Sequence, residues 1–460
     1  MRKTVTRRTF VRTSAVALGA AGMAAARADA EKTVPADAPR VEVASPWQVR
    51  VLPGTARLGD VNVPVALPVT LSVAPATLLR VTDEKHDALP LFDPNGAPWA
   101  KGAKLRKLAT FETTAAGMLV PETFVLKSGP GNAPALVLGK DYALEPQWAT
   151  VGRLPAGLAE GAPAWADYEC GWGRIDSVTV DRTGAVALRQ GTPHNATPVP
   201  PVPAANEVVI ANLWIPGRLP QLTAEHIYPI VEPKYPTPSR NGPPRAAELL
   251  PATWSRLQKG EALHVLAWGD SVTAGGQASD LAHRYQDRFV ALLKERFPAS
   301  AIRLTTAGWG GRNSDGFLAE PPGAQFNFEH AVLEPRPNLI VMEFVNDAWM
   351  GPDVVEEKYS RLLARFREIG AEWIVLTPHF VRPDWMAAPS VRVEEDPRPY
   401  VAGVRRFAAK HRVALADASR RWGHLMKEGI PYITLLSNSI NHPDDRGHEL
   451  FAQALIELFR

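Results

Sequence analysis

One cysteine in 460 residues, Cys170, rules out an intramolecular disulfide, so the fold must stand on its apolar core. With no second cysteine for redox or metal work, Cys170 reads as a small buried residue. Charge of one sign is also scarce, with 51 basic residues against 48 acidic, net +3. Even that surplus belongs to the first 30 residues, where Arg2, Lys3, Arg7, Arg8, Arg12 and Arg27 face only Asp29. The remainder carries 45 basic and 47 acidic residues, net −2, which removes the case for a nucleic-acid partner. No His/Cys/Asp/Glu grouping has metal-site spacing; His442 and His448, six apart, fit no zinc helix motif. A phosphate-cradling Gly-Lys-Ser/Thr loop is missing as well. The expectation is a protein without metal or organic cofactor. Beyond the N-terminus no apolar run approaches the ~20 residues of a membrane span, so no stable membrane insertion is expected. Internal repeats and low-complexity tracts are absent.

What is present is an ordinary globular composition, 45% apolar and 22% charged, in a chain long enough for two domains. Residues 1–30 have the make-up of an export leader. Thr6-Arg7-Arg8-Thr9-Phe10-Val11-Arg12 resembles the twin-arginine motif, an apolar stretch runs from Ala15 to Ala26, and Ala28-Asp29-Ala30 offers an A-x-A cleavage site. A periplasmic or secreted destination follows from that reading.

Residues 31–231 read as a β-rich, sandwich-like accessory domain. Trp47-Gln48-Val49-Arg50-Val51 alternates at period two, as do Val61, Val63, Val65 and Leu67, with Pro64 and Pro68 confining that strand to an edge. Ser177–Val180 and Ala185–Leu188 flank a Gly-containing turn and predict a hairpin; Asn206–Trp214 supplies another strand. Residues 193–251 hold 14 of the 43 prolines, and 232–260 read as a Pro-rich linker.

After residue 261 strands and helices alternate. Strands are predicted over Leu263–Trp268, Ile302–Thr306, Asn338–Val345, Trp373–Thr377 and Val413–Ala416. Helices are predicted from Tyr285 to Phe297, Val354 to Ile369, Val401 to His411 and Arg446 to Phe459. Five strands separated by helices predict an open parallel sheet covered on both faces, with its chemistry at the C-terminal strand ends.

Those ends carry Gly269-Asp270-Ser271, then Gly308-Trp309-Gly310-Gly311, then Val345-Asn346-Asp347; Asn441-His442-Pro443 precedes the last helix. Together they hold what acyl transfer requires. A serine hydroxyl is a weak nucleophile and needs a base within hydrogen-bond reach. An imidazole can take that proton and return it to the leaving group. The tetrahedral oxyanion needs fixed donors, which glycine amides and an asparagine side chain can supply.

The four blocks, in this order, resemble the SGNH/GDSL hydrolases. Gly269-Asp270-Ser271 matches the nucleophile block, Gly311 the oxyanion glycine, Asn346-Asp347 the third block and His442-Pro443 the last. The resemblance covers residues 261–460 and implies a flavodoxin-like three-layer α/β/α domain. By carry-over, Ser271 is the nucleophile and His442 the base, with the Ser271 and Gly311 amides and the Asn346 side chain as oxyanion hole. Two positions depart from the family: Ser439 stands where an Asp usually precedes the histidine by three, and Thr306 where Asn often opens the second block. A Ser–His dyad with a neutral orienting group, Ser439 or Asn438, is therefore expected, with Asp347, Asp417 and Asp444 as other carboxylate sources. Trp309, Trp349 and His379 are candidate substrate contacts, whereas Trp268 and Trp373 belong to the core. The activity implied is exported ester hydrolysis, with O-deacetylation of a small-molecule or polysaccharide glycoside as the first reading. A lipase- or thioesterase-like acylhydrolase, or a non-catalytic carbohydrate-binding protein with a decayed hydrolase domain, stand beside it.

Overall fold

The computed structural model describes residues 37–236 and 242–460; the expected leader lies outside them. In the C-terminal domain the parallel strands are β1 (Leu263–Gly269), β2 (Ile302–Gly308), β3 (Leu339–Glu343), β4 (Glu372–Leu376) and β5 (Ala414–Ala416). They lie in the order β2-β1-β3-β4-β5, the flavodoxin-like arrangement, with Leu263 opposite Ile302 and Val265 opposite Leu339. The strands are nearly continuous apolar runs because both faces are buried. Leu263 and Val265 face one layer, with helices α1 (Arg245–Leu249), α2 (Pro251–Gln258), α3 (Tyr285–Arg296) and α6 (Asp445–Glu457). Leu266 and Trp268 face the other, with helices α4 (Pro352–Glu368) and α5 (Pro399–His411). Trp268 is wholly buried among Phe317, Phe328, Phe344 and Phe366, and Trp373 lies in the same layer.

Where a linker was expected, α1 and α2 instead form part of this core through buried Ala246, Leu250 and Leu257. Proline does not exclude a helix at its first position: Pro251 opens α2, where a missing N–H costs nothing.

The N-terminal region is antiparallel and β-rich, with two apolar cores. In the first, a four-stranded sheet (Val186–Arg189, Arg174–Asp181, Glu207–Ile215, Ile227–Pro229) presents Val178, Val180, Leu213 and Ile215. Val49 and Val51, with Val63 and Val65 from the hairpin Gly54–Leu58/Val61–Val65, pack against them. The second core joins the sheet of Leu78–His86, Ala164–Gly171 and Leu119–Lys127 to Leu105, Leu108, Ala115 and Val151. Cys170 is buried there as a free thiol, which desolvation pushes up to about 11.

The two halves are bonded directly. Val231 N donates to the Lys427 carbonyl (2.8 Å), Asn212 Nδ2 to that of Gly429 (2.9 Å) and Arg392 to that of Ile227 (2.7 Å). Nearer the C-terminal ends of the strands, Arg382 lies over Trp148 (5.0 Å) and Trp99 packs on Trp385 (5.9 Å).

Candidate active site

The strand order reverses direction between β1 and β3, the place where open α/β sheets hold their ligands, outside the C-terminal strand ends. β1 ends at Gly269, where a Cβ would run into the Glu343 carbonyl and the Thr273 side chain. Asp270 then caps a one-turn helix, Ser271–Ala274, by accepting from Val272 N (3.0 Å). Its other oxygen accepts from Asn346 N (2.9 Å), so one carboxylate ties the turn after β1 to the turn after β3. The loop after β2 is pinned by Trp309 N donating to the Gly269 carbonyl (3.1 Å). It passes beside Ser271, and a Cβ built on Gly310 would lie 3.9 Å from the serine Cβ. Gly311 adopts φ +72°, a conformation that favours glycine. The Asn346 amide donates one of its two hydrogens to the Arg312 carbonyl (3.0 Å).

His442 comes from a loop built around Asn438. The Asn438 Oδ1 accepts from the backbone N–H of Ile440, Asn441 and His442 (3.0, 2.9 and 2.9 Å), and Ser437 N donates to the His442 carbonyl (2.8 Å). The result places His442 Nε2 2.8 Å from Ser271 Oγ. Four loops thus bring Ser271, His442, Gly310 and Asn346 together at the C-terminal ends of the strands.

At the other ring nitrogen the structure departs from expectation. The atom facing His442 Nδ1 is Glu112 Oε2, at 2.8 Å, from the N-terminal region. The approach lies off the axis of the ring N–H, so the contact is not a straight hydrogen bond, and it becomes an ion pair when the ring is protonated. Ser439, expected as an orienting group, instead turns the chain at φ +56° with its N–H on the Leu436 carbonyl. Asn438 stands behind the pair and donates to Glu112 Oε2 (3.2 Å). The other carboxylates considered are occupied elsewhere: Asp347 by Ser314, Asp417 by Arg405, and Asp444 by the first amides of α6. Glu112 was missed because it lies in the half without family blocks, and no local pattern marks it.

Residues 267–450 match the model of the GDSL-like lipase/acylhydrolase family. This is a GDSL-like lipase/acylhydrolase domain. Among solved structures, a two-domain esterase active on acetylated mannans is 19% identical, with TM-score 0.38. That match covers 46% of this chain and 52% of the esterase, so the chain spans about half of that protein's length. An acetylxylan esterase from Geobacillus stearothermophilus matches at 21% identity and TM-score 0.35, covering 43% of this chain and 94% of the enzyme. No curated protein matches the chain.

Beneath these residues the GDSL-like domain buries several ionisable groups. Desolvation raises Asp270 to about 6 and Asp347 to about 7, and pushes Glu343 well above the carboxylate range. Both Glu343 oxygens are without a hydrogen-bond partner. His379, expected as a possible substrate contact, is instead fully buried against Trp422 and Phe451. Its Nε2 donates to the Asn441 carbonyl (2.6 Å), so it braces the His442 loop from below, and burial holds it well below the ordinary histidine range. Trp309 lies in the loop beside Ser271, its ring stacked on Phe326 (4.6 Å) and approached by the Arg312 guanidinium (4.7 Å). Trp349 is 56% exposed, with Lys358 5.0 Å over its ring. Among the described residues no group of His, Cys, Asp and Glu could hold a metal ion, and no helix is long and apolar enough to cross a membrane.

Proposed function

We propose that the protein is an exported carboxylic-ester hydrolase working through an acyl-serine intermediate, with acetyl esters of a carbohydrate as substrate. The observation that carries this reading is the 2.8 Å approach of Ser271 Oγ to His442 Nε2, made across 171 residues of sequence. In the first half-reaction His442 Nε2 takes the hydroxyl proton as Ser271 Oγ bonds to the ester carbonyl carbon. The carbonyl oxygen becomes an oxyanion, met by the amides of Ser271 and Gly311 and by the second hydrogen of the Asn346 side chain. Collapse breaks the C–O bond to the alcohol, which leaves with the proton returned by His442. Water then repeats the sequence, releasing the acid and restoring Ser271.

Support for a carbohydrate alcohol comes from the exposed Trp349 ring, three residues after Asn346, and from the exposure of Gly311 and Arg312 in the loop after β2. Turnover of p-nitrophenyl esters of increasing acyl length, beside acetylated sugars, tests the substrate. Acetyl esters are expected to be preferred, and faster turnover of long acyl chains would move the assignment to a lipase-like enzyme. A fluorophosphonate probe is expected to label the wild type and not Ser271→Ala, whose hydrolysis should fall by at least ~10³-fold. Labelling that persists in Ser271→Ala would end the proposal. Export is supported by the leader alone, and a secreted form beginning at Glu31 would bear it out, whereas an intact N-terminus on protein confined to the cytoplasm would contradict it.

A further inference from the structure

We infer that Glu112, carried to the site by the N-terminal β-region, positions His442 and steadies its protonated ring, so that the base is completed across the two halves of the chain. This rests on the Ser271–His442 reading and deepens it by naming the group on the far side of the imidazole.

A histidine that accepts a proton at Nε2 must carry its other proton at Nδ1, and whatever faces Nδ1 sets the tautomer and shares the charge that develops. Here that group is a carboxylate oxygen at 2.8 Å. Its placement does not depend on the histidine alone. Glu112 sits at the tip of a tight turn in which Thr110 N donates to the Thr113 carbonyl (3.0 Å) and the two threonine hydroxyls meet at 2.9 Å. Buried Leu108 and Ala115, joined by Ala115 N on the Leu108 carbonyl (2.8 Å), root that turn in the second β-core. Thr113 Oγ1 then reaches across and donates to the Asn438 carbonyl (2.5 Å), latching the turn to the histidine loop. Asn438 closes the arrangement: its oxygen gathers the loop amides, including that of His442, while its Nδ2 holds Glu112. One asparagine thereby sets both partners.

The charges around the ring agree with this role. The contact with His442, foremost, holds the Glu112 carboxyl below its ordinary range, which keeps it anionic at neutral pH. Lys104, whose Nζ donates to the Phe111 carbonyl (3.5 Å), is the cation on the Glu112 side. Asp270 lies behind Ser271, and burial keeps His379 and His448 below the usual histidine range and hence neutral near pH 7. Arg446, on the helix that follows His442, is engaged by Asp444. The carboxylate in contact with Nδ1 is that of Glu112.

The Glu112 side chain is 45% exposed and its approach is off-axis, so its effect should fall short of the ~10⁴-fold seen for a buried triad acid. The test uses the full chain, with kcat and KM for p-nitrophenyl acetate followed across pH in Glu112→Gln and Glu112→Asp. Thermal midpoints confirm folding. In Glu112→Gln, kcat should fall on the order of 10- to 100-fold with KM little changed. The acid limb of the profile should move to lower pH, because the anion that favoured the imidazolium is gone. Glu112→Asp should recover part of the rate and part of the limb. A folded Gln variant with rate and limb unmoved would reduce Glu112 to a surface ion pair. If the Gln variant does not fold, Glu112→Ala decides in its place: a profile superimposable on the wild type overturns the inference, and a displaced limb supports it. Loss of activity in Ser271→Ala with an unaffected Glu112→Gln would leave the nucleophile assignment standing and remove only this one.

Discussion

The two halves of this chain differ in how they hold a functional group. The C-terminal domain fixes its residues through strand ends: Gly269 closes β1 on β3, Asp270 bridges two turns, and Ser271 opens a helix whose backbone is set by the sheet. The N-terminal region contributes one carboxylate from a turn between the strands Ala103–Lys104 and Leu119–Lys127, held by the Thr113–Asn438 bond. A parallel sheet brings distant loops to one rim by its topology, whereas a β-rich region reaches that rim only where a turn has been shaped to dock on it. On the inference drawn for Glu112, the domain carrying the family blocks does not contain the whole site.

Substitutions on each side sharpen this contrast. The largest effect, after Ser271→Ala and beside Glu112→Gln, belongs to the sheet side. Asn346→Ala should lower kcat on the order of 10²-fold at nearly constant KM, the usual result of losing one oxyanion donor. A change in KM alone would instead make Asn346 a scaffold for the Arg312 loop. On the docked side, Thr113→Val removes the hydroxyl of the latch. A hydrogen bond worth about 1 kcal/mol predicts a roughly five-fold loss of rate. Its acid limb should shift in the same direction as in Glu112→Gln, and a rate loss without that shift would separate the latch from the carboxylate.

The smallest effect concerns stability within the sheet domain. Burial raises Asp347 to about 7, so the folded protein keeps a proton that the unfolded chain, titrating near 4, has released. Folded-state stability therefore declines as pH climbs from about 4 to about 7 and levels off above. Asp347→Asn cannot ionise, so its melting temperature relative to the wild type should rise across that window. A difference that stays constant with pH would show that Asp347 does not titrate there.

Much of the sheet domain was legible because its signals are local. Apolar runs of strand length alternate with 3.6-period stretches, and the observed helices Pro399–His411 and Asp445–Glu457 fall within one or two residues of the predicted ones. The third strand ends at Glu343 and not at Val345, because the residues that follow turn to present Asn346. Ser271 and His442 stood out by residue type and neighbours, although only coordinates could show them 2.8 Å apart. Glu112 had no such signal: an exposed glutamate between Phe111 and Thr113 looks like any surface residue, and its role depends on a contact between chain segments more than 300 residues apart. His379 misled for the opposite reason. Its place after β4 marked it as a rim residue, but burial turned it into a brace.

The loop that carries His442 has a consequence for how the molecule comes into being. Synthesis delivers Glu112 early, Ser271 midway and His442 near the end, and the Asn438 contacts to Thr113 and Glu112 form only once that final stretch meets the first half. On the proposed assignment, a nascent chain that has emerged only as far as Ser271 has a nucleophile without its proton acceptor, and it becomes competent only when the last loop settles between both halves.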